Sequence, residues 1–188
     1  MAKKAAKKAE ERPDAYTTYD LRKHAGIAQH VGVYMATFAS FEYMLWVVYG
    51  TVLGEAETSA MRLLGDESFK RRLDAIDRYV EVRFDADAVK GFKHLFKTAV
   101  EINGFRNKLA HGLYQTDASQ SIVVVDVYLA DPKREGKGPI WLVLTEDLLD
   151  RETRKINRAF NFAKGLCIEY RPQSVTPTTI PDTEPRGP

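Results

Sequence analysis

A single cysteine, Cys167, leaves this chain without an internal disulfide framework or a cysteine-cluster metal site. That usage fits a reducing, intracellular compartment and a cytoplasmic protein. No apolar run follows the basic start MAKKAAKKAEERPDAY, so the start does not read as a secretory signal. Charge is nearly missing from residues 31–54, where Glu42 is the one acidic or basic side chain. The stretch is about as long as a bilayer crossing requires. A glutamate near the centre of a lone span is costly, however, and neither end carries a basic cluster. The expectation is a buried core helix and no membrane. No internal repeat is present.

With 188 residues, 44% hydrophobic and 29% charged, the chain has the composition of one soluble domain with a well-buried core. Net charge is only +2, but it is unevenly placed: residues 1–12 hold five cations and two carboxylates. Residues 1–16 read as a flexible basic arm, residues 17–171 as the folded domain, and the Pro- and Thr-rich residues 172–188 as a disordered tail.

Helical periodicity dominates the domain. Tyr34, Phe38, Phe41, Leu45 and Val48 recur at spacings of three and four, which predicts a long first helix over residues 20–53, apolar on most sides and central in a bundle. A short helical turn is expected within residues 54–65. Asp66 then stands as the N-cap of a helix carrying Phe69, Leu73, Ile76 and Val80 and ending near Arg83. Asp85 or Asp87 caps the next helix, which turns Val89, Phe92, Leu95, Phe96, Ala99 and Val100 toward the core.

After Gly112 the period changes from 3.6 to 2. Residues 122–129 (IVVVDVYL) and 140–145 (IWLVLT) are rich in β-branched and aromatic side chains, with turn residues between them at 131–139. This predicts a β-hairpin with an exposed basic tip. Thr145, Glu146 and Asp147 then resemble a helix start, and Leu149, Ile156, Phe160, Ala163, Cys167 and Tyr170 form the stripe of a last helix. The fold class is therefore mainly α, a helical bundle with a β-hairpin inserted before the last helix.

The stretch Phe105-Arg106-Asn107-Lys108-Leu109-Ala110-His111-Gly112 carries the chemistry. Projected at about 100° per residue, Asn103, Asn107, Ala110 and His111 continue on or near the face begun by Phe96 and Val100. An apolar seam thus turns polar at the helix end, and polar residues that break a local rule on a core face mark function. Arginine offers a fixed fork of donors for a phosphate, histidine exchanges a proton near neutral pH, and the amides orient either one. That set suits RNA transesterification: a neighbouring 2′-hydroxyl is deprotonated and attacks phosphorus, while a cation meets the developing negative charge. The chemistry needs no metal or other cofactor, and the nearby Asp and Glu residues form no ligand cluster.

Arg106 through His111 resembles the R-x4-6-H motif of the HEPN superfamily, in the form with a polar residue directly after the arginine. The order of elements is also similar to HEPN proteins of the abortive-infection type: a long helix containing Phe41 and Glu42, the motif at the close of a later helix, a hairpin and a last helix. Residues 20–170 carry the likeness; the arm and tail do not. The resemblance implies a metal-independent endoribonuclease in a toxin or phage-defence setting, and a helical bundle that dimerises so that two motifs face one cleft. It implies an RNA substrate, an antitoxin or regulatory protein as a further partner, and products ending in a 2′,3′-cyclic phosphate and a 5′-hydroxyl.

In that reading Arg106 clamps the scissile phosphate, His111 is the acid or base, and Asn107 orients one of them. Asn103, Lys108 and Tyr114 contact the substrate. Glu42 requires a partner if buried, either Arg106 or His111 at the site or a structural partner elsewhere. Arg106 and His111 stand five residues apart, about 140° around an ideal helix. Either the helix distorts at its end, or a second copy completes the pair across a two-fold axis. The competing expectation is a HEPN-like module without catalysis, which dimerises or binds and so regulates a partner protein.

Overall fold

A computed structural model describes residues 17–18, 23–116, 123–126 and 141–170. The expected basic arm, the hairpin tip at 131–139 and the tail lie outside them. The order of elements is β1 (Thr17–Thr18), α1 (Ala25–Leu53), α2 (Glu57–Leu64), α3 (Phe69–Arg83), α4 (Ala86–His111), β2 (Leu113–Thr116), β3 (Val123–Asp126), β4 (Trp141–Leu144) and α5 (Glu146–Glu169). The protein is mainly helical.

Local chemistry sets most helix boundaries. Ser68, not the expected Asp66, caps α3, its hydroxyl accepting from the Arg71 N–H at 3.4 Å. Asp85 caps α4 through the Ala88 N–H at 2.9 Å, and Thr145 caps α5 through the Leu148 N–H at 3.1 Å. Each relieves one of the unpaired donors of a first turn. The expected first helix is five residues shorter at its start and begins at Ala25.

The described chain forms two compact units. The first takes residues up to Phe41 together with Thr98–Ala159. Its core is built by Ile27, Tyr34, Phe38 and Phe41 of α1, Ala99, Ile102, Phe105 and Leu109 of α4, and Leu149 and Ile156 of α5. All four strands belong to it. They form one antiparallel sheet in the order β1-β2-β3-β4, with Val123 opposite Leu144 and Tyr114 opposite Val125. Where two strands were expected, the described residues form four. β2 follows α4 after one residue, and its short pairing partner β1 comes from the start of the chain. Val123, Val125 and Leu144 are buried while Val143 is 45% exposed, the alternation of a sheet with one covered face.

The second unit takes Glu42–Lys97 and the residues from Phe160 onward. Leu45, Val48, Tyr49 and Val52 of α1, Leu73, Ile76 and Val80 of α3, and Phe92 and Leu95 of α4 make its core. Phe84, Phe92 and Tyr170 stack at its edge, with ring centroids 5.2 to 5.9 Å apart. By length and composition α1 is apolar enough to cross a membrane. Its buried side chains contribute to both cores, while Val33 and Tyr43 are about half exposed.

Candidate functional site

α4 delivers the polar stretch. The helix is one continuous α-helix through His111, and the Gly112 N–H still bonds the Lys108 carbonyl at 3.0 Å before β2 begins. The helix end is therefore not distorted, and Arg106 and His111 leave it about 140° apart. The phase of the helix differs from the expected one. Its core seam in the first unit is Ala99, Ile102, Phe105 and Leu109, and Val100 is 50% exposed. Asn103 and Asn107 are half-buried on the flank of that seam, with exposed Ala110 and His111 beside them. The polar stretch borders the core and does not interrupt it. Both seams satisfy a helical period, and the larger apolar group, Ile102 with Phe105 and Leu109, takes the interior.

Arg106 is half-buried at the border. Its guanidinium carbon lies 5.7 Å from the Phe38 ring centroid, over the face of that ring, and Nη1 donates to Asn107 Oδ1 at 3.2 Å. Nε is buried without a hydrogen-bond partner, and among the described residues no carboxylate pairs with this side chain. A buried unpaired donor on a cation is destabilising by about 1–3 kcal/mol or more. Such a group favours whatever anion reaches it. Close by, the Tyr34 hydroxyl donates to the Ile102 carbonyl at 3.0 Å, and its ring packs edge-on against Phe105. Burial raises the Tyr34 ionisation far above the usual tyrosine value; Glu152 adds to the shift and Arg106 opposes it.

Comparison with family models, with curated proteins and with solved structures finds no match to this chain. The site must therefore be read from its own geometry.

His111 is exposed at the last position of α4, four residues after Asn107 and on the same flank. Asn107 thus stands between the guanidinium it accepts from and the turn that ends in the imidazole. Tyr114, expected at the substrate, donates its hydroxyl to the Leu109 carbonyl at 2.7 Å and so ties β2 to the end of α4. Lys108 is half-buried on the opposite flank from Arg106. Glu42 meets neither Arg106 nor His111. It pairs with Arg72 of α3 at 2.9 Å in the second unit, where that guanidinium stacks on Trp46 at 4.6 Å and is only 12% exposed. Of the alternatives left open for Glu42, the structural partner elsewhere is the one found, and it is Arg72.

The structure thus brings together Arg106, Asn107 and Asn103 on one border, sets His111 on its rim and leaves Glu42 elsewhere. Phe38, the platform under Arg106, was not foreseen; its place in the α1 stripe marked it only as core. Gln115 was also missed. It is 8% exposed on β2, with Oε1 lacking a partner. Among the described residues no three His, Cys, Asp or Glu side chains are grouped to hold a metal ion.

Proposed function

We propose that the protein is a metal-independent endoribonuclease of HEPN type, built on a HEPN-like bundle and cleaving RNA by attack of the 2′-hydroxyl. The observation that carries this reading is Arg106: a half-buried guanidinium with an orphaned Nε, no carboxylate partner among the described residues and a hydrogen bond to the Asn107 side-chain amide, five residues before an exposed histidine. A scissile phosphate supplies the missing acceptor, and charge that develops on its oxygens is held by a cation that desolvation makes effective. His111 removes the 2′-hydroxyl proton or delivers one to the leaving 5′-oxygen. Asn107 keeps the Arg106 fork aimed, and Asn103 lines the same flank. Because Arg106 and His111 diverge around the helix, the working unit is a homodimer in which the two stretches meet across a two-fold axis. A cytoplasmic setting in toxin action or phage defence, with an antitoxin or regulatory protein as partner, completes the proposal.

A second reading rests on the same arginine. Its packing on Phe38 also suits a structural role, which makes the protein a HEPN-like dimerisation or binding module regulating a partner. Cleavage of a generic RNA in EDTA separates the two. Wild type is expected to cut. His111→Ala is expected to lose about 10²–10⁴-fold in rate and Arg106→Ala about 10²–10³-fold, both with the fold intact by circular dichroism. No cutting by the wild type under any condition, with a dimer intact, supports the module.

A further inference from the structure

The segment of α5 from Glu146 to Arg158 has four acids and four bases, so its sequence is neutral. Folding draws two of those acids to α1. The Glu146 carboxylate lies against Gly26 of α1, and Asp150 Oδ1 stands 3.4 Å from His30 Nε2. Glu152 turns inward, its side chain 18% exposed. Glu146 and Asp147 are exposed in the first turn, and the Asp150 side chain is 50% exposed. Outward the helix presents Arg151, Arg154 and Arg158. Arg151, 67% exposed, touches Glu152 at 3.5 Å. Arg154 and Arg158 are exposed, and among the described residues no carboxylate lies within ion-pair distance of either.

Successive steps of three and four residues keep these arginines within about 60° of one another around the helix and about 4.5 and 6 Å apart along it. That is a stride comparable with neighbouring phosphates on a nucleic-acid strand. The type of cation matters as well. Arginine presents a planar fork that grips phosphate through two bonds, and it is weakly hydrated.

The row also has a direction. α4 and α5 run antiparallel, since Gly91 faces Leu166 and His94 stacks on Phe162 four residues earlier. In the first unit Lys155 Nζ reaches Glu101 Oε2 at 2.6 Å. Beyond Glu101 the same strip of α4 continues through Gly104 and Lys108 to His111, and the Arg151 end of the row points that way.

We infer that Arg151, Arg154 and Arg158 form a rail that binds the phosphates of an RNA strand and leads it toward Lys108 and His111. The inference rests on the nuclease reading for its choice of RNA, and it assigns the surface that holds the strand away from the scissile bond. Neutral sequence content had hidden it.

The test uses full-length protein with His111→Ala, which keeps the RNA uncut, and a fluorescein-labelled oligoribonucleotide of about a dozen nucleotides read by anisotropy across a salt series. Arg154→Ala with Arg158→Ala is expected to weaken binding and to flatten the slope of log affinity against log salt by roughly 1.4, about 0.7 for each phosphate of a single strand that is no longer neutralised. Arg154→Lys with Arg158→Lys is expected to retain the slope. An unchanged affinity and slope in the alanine pair overturns the rail, and so does polyglutamate binding as tightly as the RNA, which assigns the row to an acidic protein partner. Rail-dependent RNA binding by a protein whose wild type cuts no RNA removes the nuclease reading and leaves the rail standing.

Discussion

Tyr34 shows how one side chain couples the core to the site. Its hydroxyl is spent on the Ile102 carbonyl, and the ring beneath it helps fix the turn from which Arg106 departs. Tyr49 is buried in the second unit, and burial raises its ionisation in the same way, with Arg72 opposing and Glu42 adding. Both phenols keep their protons in the folded chain at a pH where unfolded tyrosine, with a pKa of about 10, releases its own. Their contribution to stability is therefore complete below about pH 10 and is lost as pH rises from there toward the folded values. Urea midpoints are expected to fall steeply above about pH 10. In Tyr34→Phe the alkaline slope is expected to be shallower, at a loss of about 1 kcal/mol for the deleted hydrogen bond. An alkaline slope that Tyr34→Phe leaves unchanged contradicts the assignment. Glu42 teaches a different lesson at this scale. A lone carboxylate in an apolar helix demands a cation from elsewhere, and sequence states the demand without naming Arg72.

Among the elements, α1 is closed by a device that could be read locally. Gly54 takes φ 75°, the Glu55 N–H bonds the Gly50 carbonyl at 2.9 Å and the Gly54 N–H bonds the Thr51 carbonyl at 3.3 Å, which together make a Schellman ending. Arg83 adds a bond from Nη1 to the Val52 carbonyl at 2.9 Å, a cation where the helix dipole is negative. Gly54→Ala forces a left-handed conformation on a residue with a Cβ and is expected to cost about 1–2 kcal/mol in a denaturant titration. A neutral result removes the left-handed ending. The helix α4 marks the limit of such reading. Its sequence supports two adjacent apolar seams, and only competition for interior space chose Ile102, Phe105 and Leu109 over Val100. That choice moved Asn103 and Asn107 from the core to its border, where they are half-buried.

For the whole molecule the proposed nuclease requires a homodimer, because a straight α4 cannot bring its own Arg106 and His111 together. Sedimentation is expected to give twice the chain mass. Mixing Arg106→Ala with His111→Ala protein is expected to restore part of the RNA cleavage that each lacks, since one composite site then holds both groups; a fully active monomer refutes it. The helices, the cap of α4 at Asp85 and the polar stretch were written in the sequence because periodicity, capping and turn chemistry act within a few residues, whereas at α3 Ser68 took the place expected for Asp66. β1 and β2 were not, since TT and LYQT lack the β-branched and aromatic run that marked β3 and β4, and they are held by pairing between distant segments. The partner of Glu42, the platform under Arg106 and the outward row of arginines on α5 were likewise decided by tertiary structure. Which charges meet, and which are left facing water, depends on the helices that come to lie beside them.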